Sequence, residues 1–437
     1  MASIHTLTTQ MKELEDQLVV CMRCGMCQSV CPVFEQTGRE SDVARGKLAL
    51  LDGLMQEMFQ DPEGIYERLN KCLLCGSCQA NCPSGVSALE IFMKARAVLT
   101  GYMGLSPAKK AVLRGMLAHP GIFDRFMEWG ARFQNLFTRP VNDVLGTSCA
   151  RVMSPLIGER HFVPLAAEPF HRQIPSLRTE PGSSGIRVAF YVGCLLDKIF
   201  PRVATAALDV LRHHEIGVFL PAGQACCGIP AISSGDMKTF NRLVRHNVKL
   251  FESEPVDVIL TACATCTSTI KEVWPRMMRD SSPDIMKSVE SIAEKTQDIS
   301  QFIVKALGLT PPADSTGGAN CVTYHDPCHL KKSLGISKEP RTLIQSSANT
   351  RLIEMNEADK CCGMGGSFNL QYYEISRSIG RLKRENIINS GCSTVATSCP
   401  ACMLQLSDML SRSGDRVTVK HAIEIYSESL KSNGHAI

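Results

Sequence analysis

The chain has 437 residues, 44% of them hydrophobic and 21% charged, with a formal charge of +4. This composition excludes a disordered protein, and the length exceeds what one ordinary core accommodates. So small a charge, with no Lys/Arg block interleaved with aromatics, leaves no nucleic-acid footprint. Most of the 21 Cys fall into C-x2-C and C-C groups, the pattern of metal ligands and not of a scattered disulfide framework. Thiolate sites of that kind favour a reducing cytoplasm. Residues 1–20 lack the basic and apolar regions of a signal peptide, and no run of about 18 apolar residues occurs, so export and membrane spanning are not expected.

In chain order, residues 4–20 read as a helix with Leu14, Leu18 and Val19 on one side. It leads into Cys21, Cys24, Cys27, Cys31 and Pro32, spaced C-x2-C-x2-C-x3-C-P, and the run repeats at Cys72, Cys75, Cys78, Cys82 and Pro83. This is the bacterial ferredoxin spacing, in which the fourth Cys ligates the other cluster. The expected [4Fe–4S] cubanes are therefore crossed, one on Cys21, Cys24, Cys27 and Cys82, the other on Cys72, Cys75, Cys78 and Cys31. Zinc is the competing ligand for four thiolates.

Between the runs, residues 41–70 read as helical, with Ser41 and Asp42 as caps and Leu48, Leu51, Leu54, Met55 and Met58 as an apolar stripe. Arg45 and Lys47 read first as solvated surface, and second as charges offsetting thiolates. Residues 87–175 carry no Cys motif. Helical spacing over 107–118 and 122–137 brings Phe123, Phe126, Trp129, Phe133 and Phe137 together, either as interdomain packing or as a face toward a membrane or partner. Residues 174–185, rich in Pro, Gly and Ser, read as a linker.

The texture then changes to short apolar runs alternating with helical patterns, which predicts α/β units with ligands at the strand carboxyl ends. The half is duplicated. Cys194, then Cys226-Cys227-Gly228, then Cys263 and Cys266 match Cys328, then Cys361-Cys362-Gly363, then Cys399 and Cys402. Corresponding Cys are 134, 135 and 136 residues apart (194 to 328, 226 to 361, 263 to 399). Neighbouring thiolates repel unless a metal neutralises them, so both sets read as metal centres, with a vicinal disulfide as the bland competitor. Cys149, Cys321 and Cys392 fall outside both patterns and read as incidental thiols. His325 and His329 flank Cys328 and read as structural histidines or as groups that tune a nearby centre. Gly363, Gly365 and Gly366 are expected to let backbone N–H groups approach sulfur.

The doubled pattern of Cys, C-C-G and C-x2-C is similar to the cysteine-rich domain pair of heterodisulfide reductase catalytic subunits. A two-cluster helical ferredoxin ahead of such a pair resembles the iron–sulfur subunits of glycolate oxidase and of lactate dehydrogenases, and that of anaerobic glycerol-3-phosphate dehydrogenase. The resemblance implies an α+β multidomain chain: a helical ferredoxin module over 1–100, a helical connector and linker over 101–185, and cysteine-rich domains over 186–310 and 311–437. It implies non-cubane [4Fe–4S] clusters on the two five-Cys sets, with zinc as the alternative, and FAD on a partner subunit that oxidises lactate or glycolate. Electrons would then pass to a quinone or another redox carrier, with at most peripheral membrane association at the inner face. Both five-Cys sets are intact here, whereas many oxidase-type members have lost Cys from one copy. This keeps open the alternative of a heterodisulfide-reductase-like catalytic subunit that reduces a disulfide. No dinucleotide fingerprint or P-loop occurs, so no residue is assigned to catalysis on the hydroxy acid itself.

Overall fold

The computed structural model describes residues 4–58, 61–151, 158–310 and 318–432. The first helical segment runs through Ile4–Met11, a 3-10 turn at Lys12–Leu14, and Glu15–Leu18. Leu14 and Leu18 are buried as expected, but Val19 lies past the helix end and is exposed. Helices α1 (Ala44–Met55) and α2 (Pro62–Asn70) join the two Cys runs. Ser41 and Asp42 do not cap α1; they lie in a 3-10 turn, and Val43 stands at the cap without a side-chain bond. Asp42 is instead buried beside Arg68, 3.6 Å away. The α1 stripe holds at Leu48, Leu51 and Leu54, whereas Met58, beyond the last turn, is exposed. At α2, Asp61 accepts a bond from the Gly64 N–H and Pro62 takes the first turn, where its missing N–H costs nothing.

Helix α3 (Ala88–Met103) fastens this module to the first cysteine-rich domain. Arg96, fully buried in α3, donates to the carbonyls of Leu69 and Cys72 on one side and of Ser233 on the other. One turn on, the Thr100 hydroxyl reaches the Ser234 carbonyl at 3.2 Å.

The connector is helical only in part. Its main helix, α4 (Pro120–Phe137), buries no residue completely. Phe126, Trp129 and Phe137 are exposed and Phe123 and Phe133 half-buried, which overturns the expectation that this stripe is interdomain packing. A hairpin of β1 (Thr138–Asn142) and β2 (Thr147–Ala150) comes next and clasps the C-terminal domain, with Thr147 Oγ1 2.5 Å from Ser411 Oγ. The segment read as a linker also contains β3 (Leu177–Arg178), which adds an antiparallel edge to β5. The Pro/Gly signal there marks the turns around a strand too short to show a period.

The duplication in sequence is a duplication in topology. The first sheet has the order β3-β5-β4-β6-β7, with β4 (Arg187–Tyr191), β5 (Gly217–Leu220), β6 (Val258–Thr261) and β7 (Thr296–Asp298) parallel. The second, β11-β10-β8-β9, is formed in the corresponding order by β8 (Asn320–Tyr324), β9 (Thr350–Leu352), β10 (Thr394–Thr397) and β11 (Thr418–His421), all parallel. Strands β4 and β6 are nearly continuous apolar runs because helices cover both faces of a parallel sheet. One core runs through both sheets. Another joins the ferredoxin-like helices to the first sheet, so the N-terminal module packs directly on the cysteine-rich half.

Gly235 sits where α3 meets the first cysteine-rich domain, with φ +79°, and a Cβ there would collide with Thr100 Oγ1 and the Arg96 carbonyl. Gly235→Val is expected to destabilise the protein by about 2–4 kcal/mol through overpacking and left-handed strain. Chemical denaturation with far-UV circular dichroism checks this, against Gly101→Ala, whose added Cβ would meet nothing within 4 Å.

Candidate metal centres

The two N-terminal Cys runs have the same backbone. Arg23 and Leu74 both have positive φ (56° and 53°), as do Gly25 and Gly76 (89° and 73°), each pair at matching positions. A non-glycine residue in that region is uncommon, and its recurrence at one loop position marks a chain wound so that side chains converge. N–H groups point at the sulfurs: Phe34 to Cys31, Leu74 to Cys72 and Val86 to Cys82, at 3.4–3.5 Å.

Cys21, Cys24, Cys27 and Cys82 line one small cavity together with Cys78. Cys31 lies instead among Cys72 and Cys75, which act on it electrostatically, and Cys78 feels the same three. Burial pushes the Cys31 thiol up from 9.0 to about 12 and raises Cys78 well above its usual range. Lys47, read as surface, is 1% exposed; burial lowers its pKa, and it faces Cys72 and Cys31. Its ammonium is held by the carbonyls of Ser41 and Asp42. Arg45 is half-buried, bonded to Glu40 at 2.7 Å and to the Arg23 carbonyl.

In the C-terminal half, all ten Cys of the two sets line a single cavity of about 260 Å³ between the domains. Each set gathers beyond the carboxyl ends of its first three strands, where parallel sheets collect ligands. Gly228 and Gly363, with φ 94° and 95°, make the turn after each Cys pair. Cys194 Sγ lies 3.9 Å from Cys226 Sγ, and Cys362 Sγ lies 3.5 Å from Cys402 Sγ. The central thiols, Cys227 and Cys362, are pulled well below the usual range, first by bonds from Cys226 and Cys361 and then by those from Cys266 and Cys402. The Met364 N–H also donates to Cys362, as expected of a backbone freed by glycine. The partners are pushed up: Cys226 by its contacts with Cys194 and Cys227, Cys402 by those with Cys362 and Cys399.

The sets touch one another. Cys399 is lowered first by a bond from Cys263, across the domain boundary, where the Ala264 N–H also meets the Ser398 carbonyl at 3.0 Å. Cys75 is raised first by its contact with Cys361 and then by burial, which brings the second N-terminal set against the second C-terminal set. His329 holds this junction, with Nδ1 3.2 Å from Thr265 Oγ1 and Nε2 3.2 Å from the Leu74 carbonyl. His325 is fully buried; burial brings its pKa down to about 3, Nδ1 bonds the Ala358 carbonyl, and Nε2 has no partner among the described residues. One of its ring nitrogens lies within 4.8 Å of both Cys362 and Cys402 Sγ.

Several groups here carry no motif. Lys383 is 2% exposed, brought down to about 8 by burial, and faces Cys362 and Cys361. Lys332 donates to Ser77 Oγ at 2.6 Å and acts on Cys75. Tyr191 stands in the first domain where His325 stands in the second, 134 residues on, and its hydroxyl donates to the Ala225 carbonyl at 2.6 Å. A lone Lys or Tyr in an amphipathic stretch gives no sequence signal; only the 134-residue offset could have pointed to Tyr191. Cys149 remains a half-buried free thiol, but Cys321 and Cys392 are joined by a disulfide between β8 and the turn before β10, which corrects their reading as incidental thiols.

The donor chemistry fits iron–sulfur clusters. Soft sulfurs converge in four sets, three of them with a cation close by, and a bound metal cluster neutralises thiolates that would otherwise repel. Asp124, His171 and Asp197 also approach one another closely enough for a cation. The Lys198 ammonium already lies among them, 2.6 Å from Asp124 Oδ1, so the charge balance calls for no metal.

Comparison with known proteins agrees with this architecture. Residues 17–86 match the 4Fe-4S dicluster domain, and residues 188–271 and 322–407 each match the cysteine-rich domain. The chain is 28% identical over 96% of its length to the "Probable glycolate oxidase iron-sulfur subunit" of Bacillus subtilis, covering 95% of that protein. It is 29% identical to a subunit of the "Fumarate reductase (CoM/CoB)" of Methanothermobacter marburgensis, over 90% of this chain and 68% of that one. It is 28% identical to "Lactate utilization protein A" of an Exiguobacterium strain, over 56% of this chain and 98% of that one.

Two outcomes are expected for the thiols. Cys75→Ser should lower iron by about four atoms per chain while Cys149→Ser leaves it unchanged, measured by metal analysis. In metal-free protein Cys31 stays protonated to about 12 where a free thiol ionises near 9.0. Between those values the native state holds more protons than the unfolded one, so stability falls as pH rises through the window. The melting temperature of the metal-free chain should accordingly drop from about pH 8 to about pH 10.5, and less so in Cys31→Ser.

Proposed function

We propose that this chain, a 4Fe-4S dicluster domain joined to two cysteine-rich domains, is the iron–sulfur electron-transfer subunit of a flavin-dependent 2-hydroxy-acid dehydrogenase. The observation that carries the reading is the unbroken row of thiol sets. Cys21, Cys24, Cys27 and Cys82 stand at one end, next to Cys72, Cys75, Cys78 and Cys31. Cys75 then touches Cys361 of the second cysteine-rich set, and Cys399 of that set touches Cys263 of the first. Similarity to a glycolate oxidase iron–sulfur subunit along nearly the whole chain supports the substrate class.

Bound at these sets, [4Fe–4S] clusters supply reversible one-electron transfer, which splits the electron pair taken from a hydroxy acid by a flavin. The chain's own residues determine how far apart the sets lie and how each charge is met. His329 and the bond between Ala264 and Ser398 fix the junctions, while Lys47 and Lys332 place positive charge beside the second N-terminal set and Lys383 beside the second C-terminal set. Around the first run the surface suits a docking partner: Cys24 is exposed, and Val19, Met22 and Met26 around it are 75%, 67% and 53% exposed. We assign this face to the FAD-containing subunit. No helix among the described residues is long and apolar enough to cross a membrane, so membrane contact is peripheral in this reading.

A second reading, disulfide reduction, draws on the cavity shared by all ten C-terminal Cys and on the similarity to a CoM/CoB fumarate reductase subunit. The two readings separate in one experiment. Co-expressed with its flavoprotein partner, the chain should support lactate- or glycolate-dependent dye reduction, at least about 100-fold lower in Cys362→Ser and Met22→Asp, with flavin content retained. Disulfide reduction by the isolated chain with a chemical reductant, in the absence of hydroxy-acid activity, would establish the second.

A further inference from the structure

Both cysteine-rich domains tie the end of their first strand to the loop that leads into the Cys pair. In the first domain the Tyr191 hydroxyl donates to the Ala225 carbonyl at 2.6 Å, ahead of Cys226 and Cys227. In the second, His325 Nδ1 donates to the Ala358 carbonyl at 3.1 Å, ahead of Cys361 and Cys362. Tyr191 and His325 are 134 residues apart, the same distance that separates Cys194 from Cys328. The tie uses the one polar atom of a tyrosine but only one of the two of a histidine.

The second nitrogen is left over. His325 is 0% exposed, and its Nε2 has no partner among the described residues. A carbonyl can only accept, so Nδ1 carries the proton and Nε2 the lone pair. Buried polar atoms are as a rule satisfied, and this one belongs to a ring that lies against sulfur. One of the ring nitrogens is within 4.8 Å of both Cys362 Sγ and Cys402 Sγ, which are 3.5 Å from each other. A thiolate has no proton to give to a lone pair. A second proton on the ring would set a cation against the buried Lys383 ammonium, which acts on the same imidazole. A metal ion is the partner that a bare nitrogen and two thiolates can share.

We propose that His325 is an additional ligand of the second cysteine-rich set, binding iron through Nε2 beside Cys362 and Cys402. The Nε2 lone pair forms the bond and no proton leaves the ring, whereas each thiol must release one. Imidazole is a neutral donor, so it adds a metal bond without adding negative charge to crowded thiolates. The bond from Nδ1 to the Ala358 carbonyl fixes the tautomer and the turn of the ring, as a backbone carbonyl does for many ligating histidines. At the matching place in the first set the Tyr191 hydroxyl is already taken.

The inference rests on the cluster reading of this set and not on what the partner subunit oxidises. Pulsed EPR of the holoprotein, in its reduced and oxidised states, should show the nitrogen hyperfine coupling of a directly bound imidazole. The pattern should change when histidine alone carries the heavy nitrogen isotope. It should survive His329→Gln and His421→Gln, which alter two other rings near thiols of this half, and be lost in His325→Tyr. His325→Tyr repeats the arrangement of the first domain, and unchanged far-UV circular dichroism shows that it folds. Where it does not fold, a coupling that survives in the double variant His329→Gln/His421→Gln sustains the assignment. A coupling absent from both states, lost with His329 or His421, or kept in His325→Tyr overturns it. Iron lost in Cys362→Ser without any nitrogen coupling overturns His325 as a ligand alone. Iron unchanged in Cys362→Ser overturns the cluster reading, and the ligand with it.

Discussion

The rest of this structure depends on holding many thiols next to one another, most of them shielded from water. A buried thiolate beside another is costly twice, by desolvation and by repulsion, and neither is relieved by apolar packing. The chain relieves both with what a metal cluster also needs: N–H groups aimed at sulfur and buried cations with carbonyl partners. Lys47 and Lys383 illustrate the device. Each is an almost fully buried ammonium tied to main-chain oxygen, an arrangement with no rationale in a hydrophobic core and a clear one beside thiolates.

The duplicated half solves the problem twice with the same topology and different side chains. Strand order, the glycine after each Cys pair and the lowered central thiol recur in both copies. The differences are equally local. The second set has His325 and Lys383 beside it, whereas the first has Tyr191, whose hydroxyl is spent on a backbone carbonyl. Hydrogen bonding and net charge are the levers by which a protein sets a cluster's potential. Two copies of one scaffold therefore present different side chains to their thiol sets. The second faces the ferredoxin-like module, and the first faces a cavity lined by Cys194 and Cys226.

Much of the site is legible in the order of residues alone, because metal ligation fixes residue type and spacing together. The two N-terminal runs, the five-Cys sets and the constant offset between them are of this kind, and so is the placement of Cys after short apolar strands. Helix stripes are legible where burial is continuous, as at Leu48, Leu51 and Leu54. They mislead at α4, where the same aromatic spacing that builds a core faces solvent instead. Periodicity reports that one side of a helix is apolar and says nothing of what covers it.

Local spacing was therefore enough for the ferredoxin-like and cysteine-rich modules and their duplication. Tertiary packing was needed to bring both five-Cys sets to one cavity, Cys75 to Cys361 and Cys263 to Cys399, and to place Lys47 in the interior. The same packing pairs Cys321 with Cys392 and opens the cavity between α4 and Cys194. Each of these joins residues far apart in the chain, most of them through the docking of separate domains. No local pattern encodes which surfaces meet, because that choice depends on the summed shape and charge of whole faces.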